Sequence, residues 1–194
     1  MPLSSVAVYC ASSDGSSARW RSALTELGRV IAGRGLAVVY GGGRVGLMGA
    51  VADGALAAGG RVVGVIPRAM VEAERAHTGV SDLRIVETMH QRKAMMVDLS
   101  DAFVAAPGGF GTLDELFETI TWAQLGIHRK PIGLMNTDGF YDGLAAFLDS
   151  TVAAGFIQPR FRGLIQVDAD PSRLLDRLAS AEPVEGAGWA RRPG

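Results

Sequence analysis

One stretch limits what this chain can fold into more than any other. The apolar run Ala102-Phe103-Val104-Ala105-Ala106 leads into Pro107-Gly108-Gly109-Phe110-Gly111-Thr112-Leu113-Asp114-Glu115. A helical pattern, Leu116 to Trp122, leads out. This is a buried strand, a glycine turn and a helix start in immediate succession. The glycines permit backbone angles closed to other residues and let a ligand approach the main chain. The first turn of the helix offers N–H groups without intrahelical partners and the positive end of the dipole, which is an anion site. Thr112 adds a hydroxyl, and Asp114 and Glu115 place carboxylates one turn deeper. Phosphate at the glycines with carboxylates a few ångströms on points to a sugar phosphate or nucleotide. A plain helix cap remains the alternative, since Gly and Thr cap helices and acids favour a first turn for dipole reasons alone. The turn has neither a P-loop's Gly-Lys-Ser/Thr ending nor G-x-G-x-x-G spacing.

The same grammar repeats along the chain. Strand-like runs lie at Val6–Cys10, Leu36–Tyr40, Arg61–Ile66, Leu83–Val86, Ala102–Ala106, Pro131–Met135 and Leu164–Val167, with helical patterns in most of the intervals. Alternation of this kind predicts a single doubly wound, Rossmann-like α/β domain over residues 1–182. Its parallel sheet should have about six to seven strands, with right-handed crossovers and helices on both faces. At 194 residues one domain is expected, burying ~70% of its unfolded surface. The Gly/Pro-rich segment 183–194 is expected to be a disordered tail. Pro67 should stop the third strand, and the irregular stretch Arg68–Asp82 reads as a surface loop or a lid. The polar loop Ala11–Ser17, the turn Gly41-Gly42-Gly43 and the central glycine turn should share one rim, at the carboxyl ends of their strands.

Composition excludes several classes. A net charge of −1 argues against a general nucleic-acid or membrane surface. The sequence lacks a signal-peptide pattern and an apolar run long enough to cross a bilayer, so a soluble cytoplasmic protein is expected. The single cysteine, Cys10, ends an apolar strand and reads as a buried inert thiol. No Cys/His/Asp cluster has metal-ligand spacing, and neither metal nor other cofactor is expected. Met89, Arg92, Met96 and Leu99 share one helical face. A cation in that stripe either snorkels to the surface or binds an anion inside. Lys93 lies ~100° around the helix, so both cations need not reach one atom.

Met89-His90-Gln91-Arg92-Lys93 and Pro107-Gly108-Gly109-Phe110-Gly111-Thr112-Leu113-Asp114-Glu115 together resemble the signature of the Lonely Guy (LOG) family, cytokinin riboside 5′-monophosphate phosphoribohydrolases. The likeness continues through Tyr40–Gly43, Gly46–Gly49, Gly64–Pro67 and Ile120–His128, and covers roughly Val6 to Val167. It implies hydrolysis of the N-glycosidic bond of N6-modified adenosine 5′-monophosphates, and of AMP, to free base and ribose 5-phosphate. It implies Arg92 and Glu115 as the catalytic pair. It implies substrate contacts at Lys93, Gly108, Gly109, Phe110, Gly111, Thr112, Leu113, Asp114, Glu115 and Thr121. A family glutamate after the third strand maps to Glu74, with Glu72 as competitor. A homodimer with active sites at the interface is also implied. The family is similar as well to proteins labelled lysine decarboxylases, but nothing in this sequence marks a Schiff-base lysine for a pyridoxal cofactor. A non-catalytic nucleotide carrier or sensor, or a nucleosidase for another purine monophosphate, would use the same loops.

Overall fold

The computed structural model describes residues 3–71 and 75–187. Glu72 and Glu74 lie outside the described residues, as does the end of the tail, 188–194. Seven strands, β1 (Ser5–Tyr9), β2 (Ala37–Tyr40), β3 (Val62–Pro67), β4 (Asp82–Val86), β5 (Ala102–Ala105), β6 (Ile132–Met135) and β7 (Ile165–Asp168), form one parallel sheet in the order β4-β3-β2-β1-β5-β6-β7. Each expected strand is present within a residue or two. Pro67 closes β3 instead of stopping it: it pairs with Val86 at the strand end, where a missing N–H costs little.

The helices are α1 (Ala18–Gly33), α2 (Gly46–Ala57), α3 (Met89–Asp98), α4 (Phe110–Leu125), α5 (Asp142–Ala153), α6 (Pro159–Arg162) and α7 (Pro171–Ser180). Their starts follow local chemistry. Thr88 and Gln91 form a reciprocal capping box for α3. Asp170 caps α7, whose first residue is Pro171. The one-turn helix α6 has too few residues to show a period, and the sequence reading did not foresee it.

Side chains alternate across the strands, so the sheet carries an apolar layer on each face. Val6, Val8, Val38, Tyr40 and Val104 pack under α1, α2 and α7. Ala7, Tyr9, Val39, Phe103, Ile132 and Leu134 pack under α3, α4 and α5. The chain winds outward from β1 to β4, then returns to the other side of β1 to lay down β5. Loops leaving β1 and β5 therefore diverge to opposite faces and open a crevice at the carboxyl ends of the strands, which is where ligands bind in such sheets.

Candidate active site

A cleft of about 300 Å³ occupies that crevice. Among the described residues it is lined by Cys10, Ala11, Ser12 and Ser13 after β1, by Met48 of α2, by Met70, and by Met89 and Arg92 of α3. Gly109, Phe110, Gly111, Thr112 and Glu115 at the start of α4 complete it. The loops after β1 and β5 thus share one rim as expected, whereas the Gly41-Gly42-Gly43 turn does not line the cleft and reaches it through the Gly41 carbonyl bonded to Arg92.

Two helix starts meet here, and they differ. The first N–H groups of α2 are already used: Met48 donates to the Ala11 carbonyl and Leu47 to that of Ser13. This holds the β1 loop in place. At α4 the N-cap is Gly109, which has no side chain to return to the backbone. The first turn of α4 lines the cleft, and the N–H groups of a helix start suit an anion. Thr112 is buried beneath them, with its hydroxyl so close over Gly108 that a Cβ at that glycine would stand 2.1 Å from it. The turn itself is braced from below, where Tyr141 donates to the Ala106 carbonyl at 2.7 Å.

Arg92 is the buried cation in the helical stripe, only 4% exposed. It turns inward and does not snorkel. Its Nη2 donates to the Gly41 carbonyl at 3.0 Å. The sulfurs of Met48, Met70 and Met89 stand 3.8–3.9 Å from its terminal nitrogens. Polarisable sulfur and a carbonyl dipole hold the guanidinium on the cleft wall, and Glu115 lines the same cleft from α4. Cys10 forms part of the floor. Burial, and after it the nearby Glu115 carboxylate, push its thiol well above the usual range, so it is no nucleophile at neutral pH.

The expected site residues divide between two faces of α4. Gly109, Phe110, Gly111, Thr112 and Glu115 line the cleft with Arg92. Leu113, Asp114 and Thr121 line instead a shallow depression of about 570 Å³ on the outer side of α4, with Phe110, Phe117, Glu118 and Trp122. Lys93 belongs to this second group. Its Nζ donates to Glu118 at 2.6 Å and to Asp114 at 3.0 Å. Burial pulls the ammonium down, but the bonds to Glu118 and Asp114 outweigh it and leave its pKa raised. The Thr121 hydroxyl donates to the Phe117 carbonyl. Sequence reasoning missed the methionine setting of Arg92. Met89 at i−3 was the one available signal; Met48 and Met70 come from elements that only the fold brings together.

Among the described residues no group of three or more His, Cys, Asp or Glu side chains converges to hold a metal ion, and no helix is long and apolar enough to cross a membrane.

Comparisons with known proteins give the family and the fold. Residues 48–178 match a family model described as "Possible lysine decarboxylase". The chain is 49% identical over 179 residues to a probable cytokinin riboside 5′-monophosphate phosphoribohydrolase, LOGL9, of Oryza sativa subsp. japonica, covering 92% of this chain and 79% of that one. It is 44% identical over 178 residues to the cytokinin riboside 5′-monophosphate phosphoribohydrolase LOG3 of Arabidopsis thaliana, covering 92% and 83%. The molybdenum cofactor carrier protein of Chlamydomonas reinhardtii shares the fold with a TM-score of 0.70 over 90% of this chain and 97% of that one, at 23% identity. From this sequence identity over most of its length, the chain belongs to the LOG family of cytokinin riboside 5′-monophosphate phosphoribohydrolases.

Proposed function

We propose that this protein hydrolyses the N-glycosidic bond of adenosine-type 5′-monophosphates, N6-modified ones included, releasing free base and ribose 5-phosphate. One observation carries the reading: the buried guanidinium of Arg92 and the carboxylate of Glu115 line the same cleft as the open start of α4. The 5′-phosphate sits on the N–H groups of Gly111 and Thr112. Glu115, one turn further in, then stands at the depth of the ribose. Breaking the bond from C1′ to the base nitrogen leaves positive charge on the sugar. A carboxylate there stabilises that charge, holds ribose hydroxyls, or takes a proton from the attacking water. The water oxygen bonds to C1′, and a proton goes to the departing base. Arg92 orients Glu115 or hydrogen-bonds the leaving base. Phosphate binding, remote from the broken bond, positions the sugar.

The decarboxylase description does not suit the side chains. The lysines of this chain are Lys93 and Lys130. A Schiff-base lysine needs a lowered pKa; that of Lys93 is raised by its carboxylates, and Lys130 is spent on the Val97 carbonyl at 2.7 Å.

We further infer a homodimer formed through the outer face of α4. Phe110 is 93% exposed there, beside Phe117, Leu113 and Trp122. Such a patch is unusual on a monomer. Covering it with a second copy brings Lys93, Asp114 and Thr121 to the border of the partner's cleft, where the family assigns them to substrate. The lone buried thiol suits a reducing compartment, and we place the protein in the cytoplasm.

The test is to incubate the protein with AMP, N6-prenyl AMP, other purine monophosphates and the matching nucleosides, and to follow free base. Release from the monophosphates, and far less from the nucleosides, is expected. Comparable rates for both would remove the phosphate anchor. Tight binding with no base release would make the protein a carrier.

A further inference from the structure

Behind Glu115, a line of buried polar groups crosses the apolar layer under α3, α4 and α5. The Thr119 hydroxyl donates to the Glu115 carbonyl at 2.8 Å. That commits its proton, so the Tyr9 hydroxyl, 3.0 Å away, donates to Thr119 Oγ1. On the other side, the N–H of Lys130 donates to His128 Nδ1 at 3.2 Å. The ring proton is thereby assigned to Nε2, which donates to the Thr119 carbonyl at 3.0 Å. Lys130 Nζ donates in turn to the Val97 carbonyl in the last turn of α3, the helix that carries Arg92. Tyr9 and His128 both pack on Phe103, with ring centroids 6.1 Å and 5.2 Å apart.

Packing alone does not ask for this. Thr119 lies on the buried face of α4 between Leu116 and Ala123, where valine would fill the same volume without a hydroxyl to satisfy. The hydroxyl does two things that a methyl group does not. It gives the Glu115 carbonyl a second donor besides the helical N–H, and bonding of this i−4 type tilts the carbonyl and bends the helix. Through Tyr9 it also ties α4 to the end of β1. Tyr9 immediately precedes Cys10, Ala11, Ser12 and Ser13, which line the opposite wall of the cleft. The Tyr9–Thr119 bond is thus a strut between the two walls, ending on the backbone of Glu115.

We propose that Thr119 is a positioning residue for Glu115, with Tyr9 and His128 holding it from β1 and from the segment after α4. The proposal rests on the reading that the Glu115 carboxylate acts on the ribose. Its function is to fix the tilt of one helical turn, and with it the aim of that carboxylate.

The experiment compares Thr119→Val, Tyr9→Phe and Thr119→Ser in the full chain. Thr119→Val and Tyr9→Phe keep the volume and remove the strut; Thr119→Ser keeps the hydroxyl. Turnover with AMP should fall about 10-fold in the first two with KM little changed, as expected for a misaimed group, and Thr119→Ser should stay near the unsubstituted protein. A second readout does not need turnover: the side-chain carboxyl carbon of Glu115, followed by NMR with 13C-labelled glutamate, should titrate differently in Thr119→Val and unchanged in Thr119→Ser. Full turnover with an unmoved Glu115 titration in Thr119→Val overturns the proposal, as does a Thr119→Ser variant as impaired as Thr119→Val. If the unsubstituted protein releases no base, the hydrolase reading fails by itself. The Glu115 titration then still decides: a change confined to Thr119→Val and Tyr9→Phe supports the strut, and no change overturns it.

Discussion

Arg92 and Gly41 share a space with no room for one methyl group: a Cβ built on Gly41 would stand 1.8 Å from Arg92 Nη2 and 2.9 Å from the Met48 sulfur. Gly41 is not among the glycines with positive φ, so its backbone does not require glycine. The guanidinium does. Gly41→Ala is expected to displace the guanidinium of Arg92 at modest cost to the fold, about 1–2 kcal/mol. Turnover should drop about 10²-fold, because the displaced group lines the cleft. Denaturant unfolding together with a base-release assay checks this; equal losses in stability and activity would place the effect in the core.

Removing the two groups proposed to act on substrate should leave the fold intact. Glu115→Gln and Arg92→Ala are each expected to lower turnover ~10²-fold or more with circular dichroism spectra unchanged. The double variant should lose much less than the product of the single losses, since groups acting as a unit are not additive. A folded Glu115→Gln protein releasing base at near-normal rate would remove the catalytic assignment and favour the carrier.

The exposed aromatic face of α4 predicts an association that one charge disrupts. Phe117→Glu sets a carboxylate beside Asp114 and Glu118, where a second copy would bring three more. Light scattering at micromolar concentration should give a dimer mass for the unsubstituted protein and a monomer mass for the variant. A monomer in both cases would end the dimer reading.

Stability should depend on pH in three separate windows, two acid and one alkaline. Burial lowers the pKa of His128 despite its bond to the Thr119 carbonyl. The folded state therefore binds fewer protons than the unfolded chain, whose histidine titrates near ~6.5. This contribution is present above that value and is lost as pH falls through the folded pKa. Asp168 is held down at about 2, first by Arg173, with further bonds from the Asp170 N–H and Arg177. Its contribution is present above ~3.9 and is lost as pH falls through the folded value. Lys93 has the opposite sign. Its raised pKa stabilises below ~10.4, and that contribution is lost as pH climbs through the folded value. Chemical denaturation at a series of pH values should show His128→Gln removing the upper acid window and Asp168→Asn the lower one.

Base release should be insensitive to EDTA. The positive charge at the proposed phosphate and ribose positions comes from α4's first turn and from Arg92. Loss of activity in chelator, restored by a divalent ion, would contradict this.

The alternation of apolar runs and glycine turns made the sheet readable, because parallel strands buried on both faces are short and continuously apolar. Arg92 and Glu115 were readable too: one interrupts an apolar stripe and the other follows a helix start by one turn. Lys93 and Thr121 were grouped with them through family likeness, and Asp114 because it shares the helix start with Glu115. Helical rotation instead places Asp114 and Thr121 on the outer face of α4, where Lys93 of α3 bonds to Asp114, away from the cleft of their own chain. The methionines about Arg92, and the line from Tyr9 through Thr119 to Lys130, were not readable. They join segments tens of residues apart, and neither Met nor Thr has a spacing that marks such a meeting.

The position of β1 between β2 and β5 has a consequence for how the protein matures. β1 and β2 can pair early, across a short crossover. The opposite wall of the cleft exists only once β5 docks on β1, where Asp101 reaches back 96 residues to Ser5. Closing so long a loop is entropically late in assembly. A species built from the first half of the chain lacks the α4 wall of the cleft, so a ligand bound there should stabilise only states in which β5 has docked. Nucleotide-dependent protection from proteolysis should thus report the docking of β5 on β1.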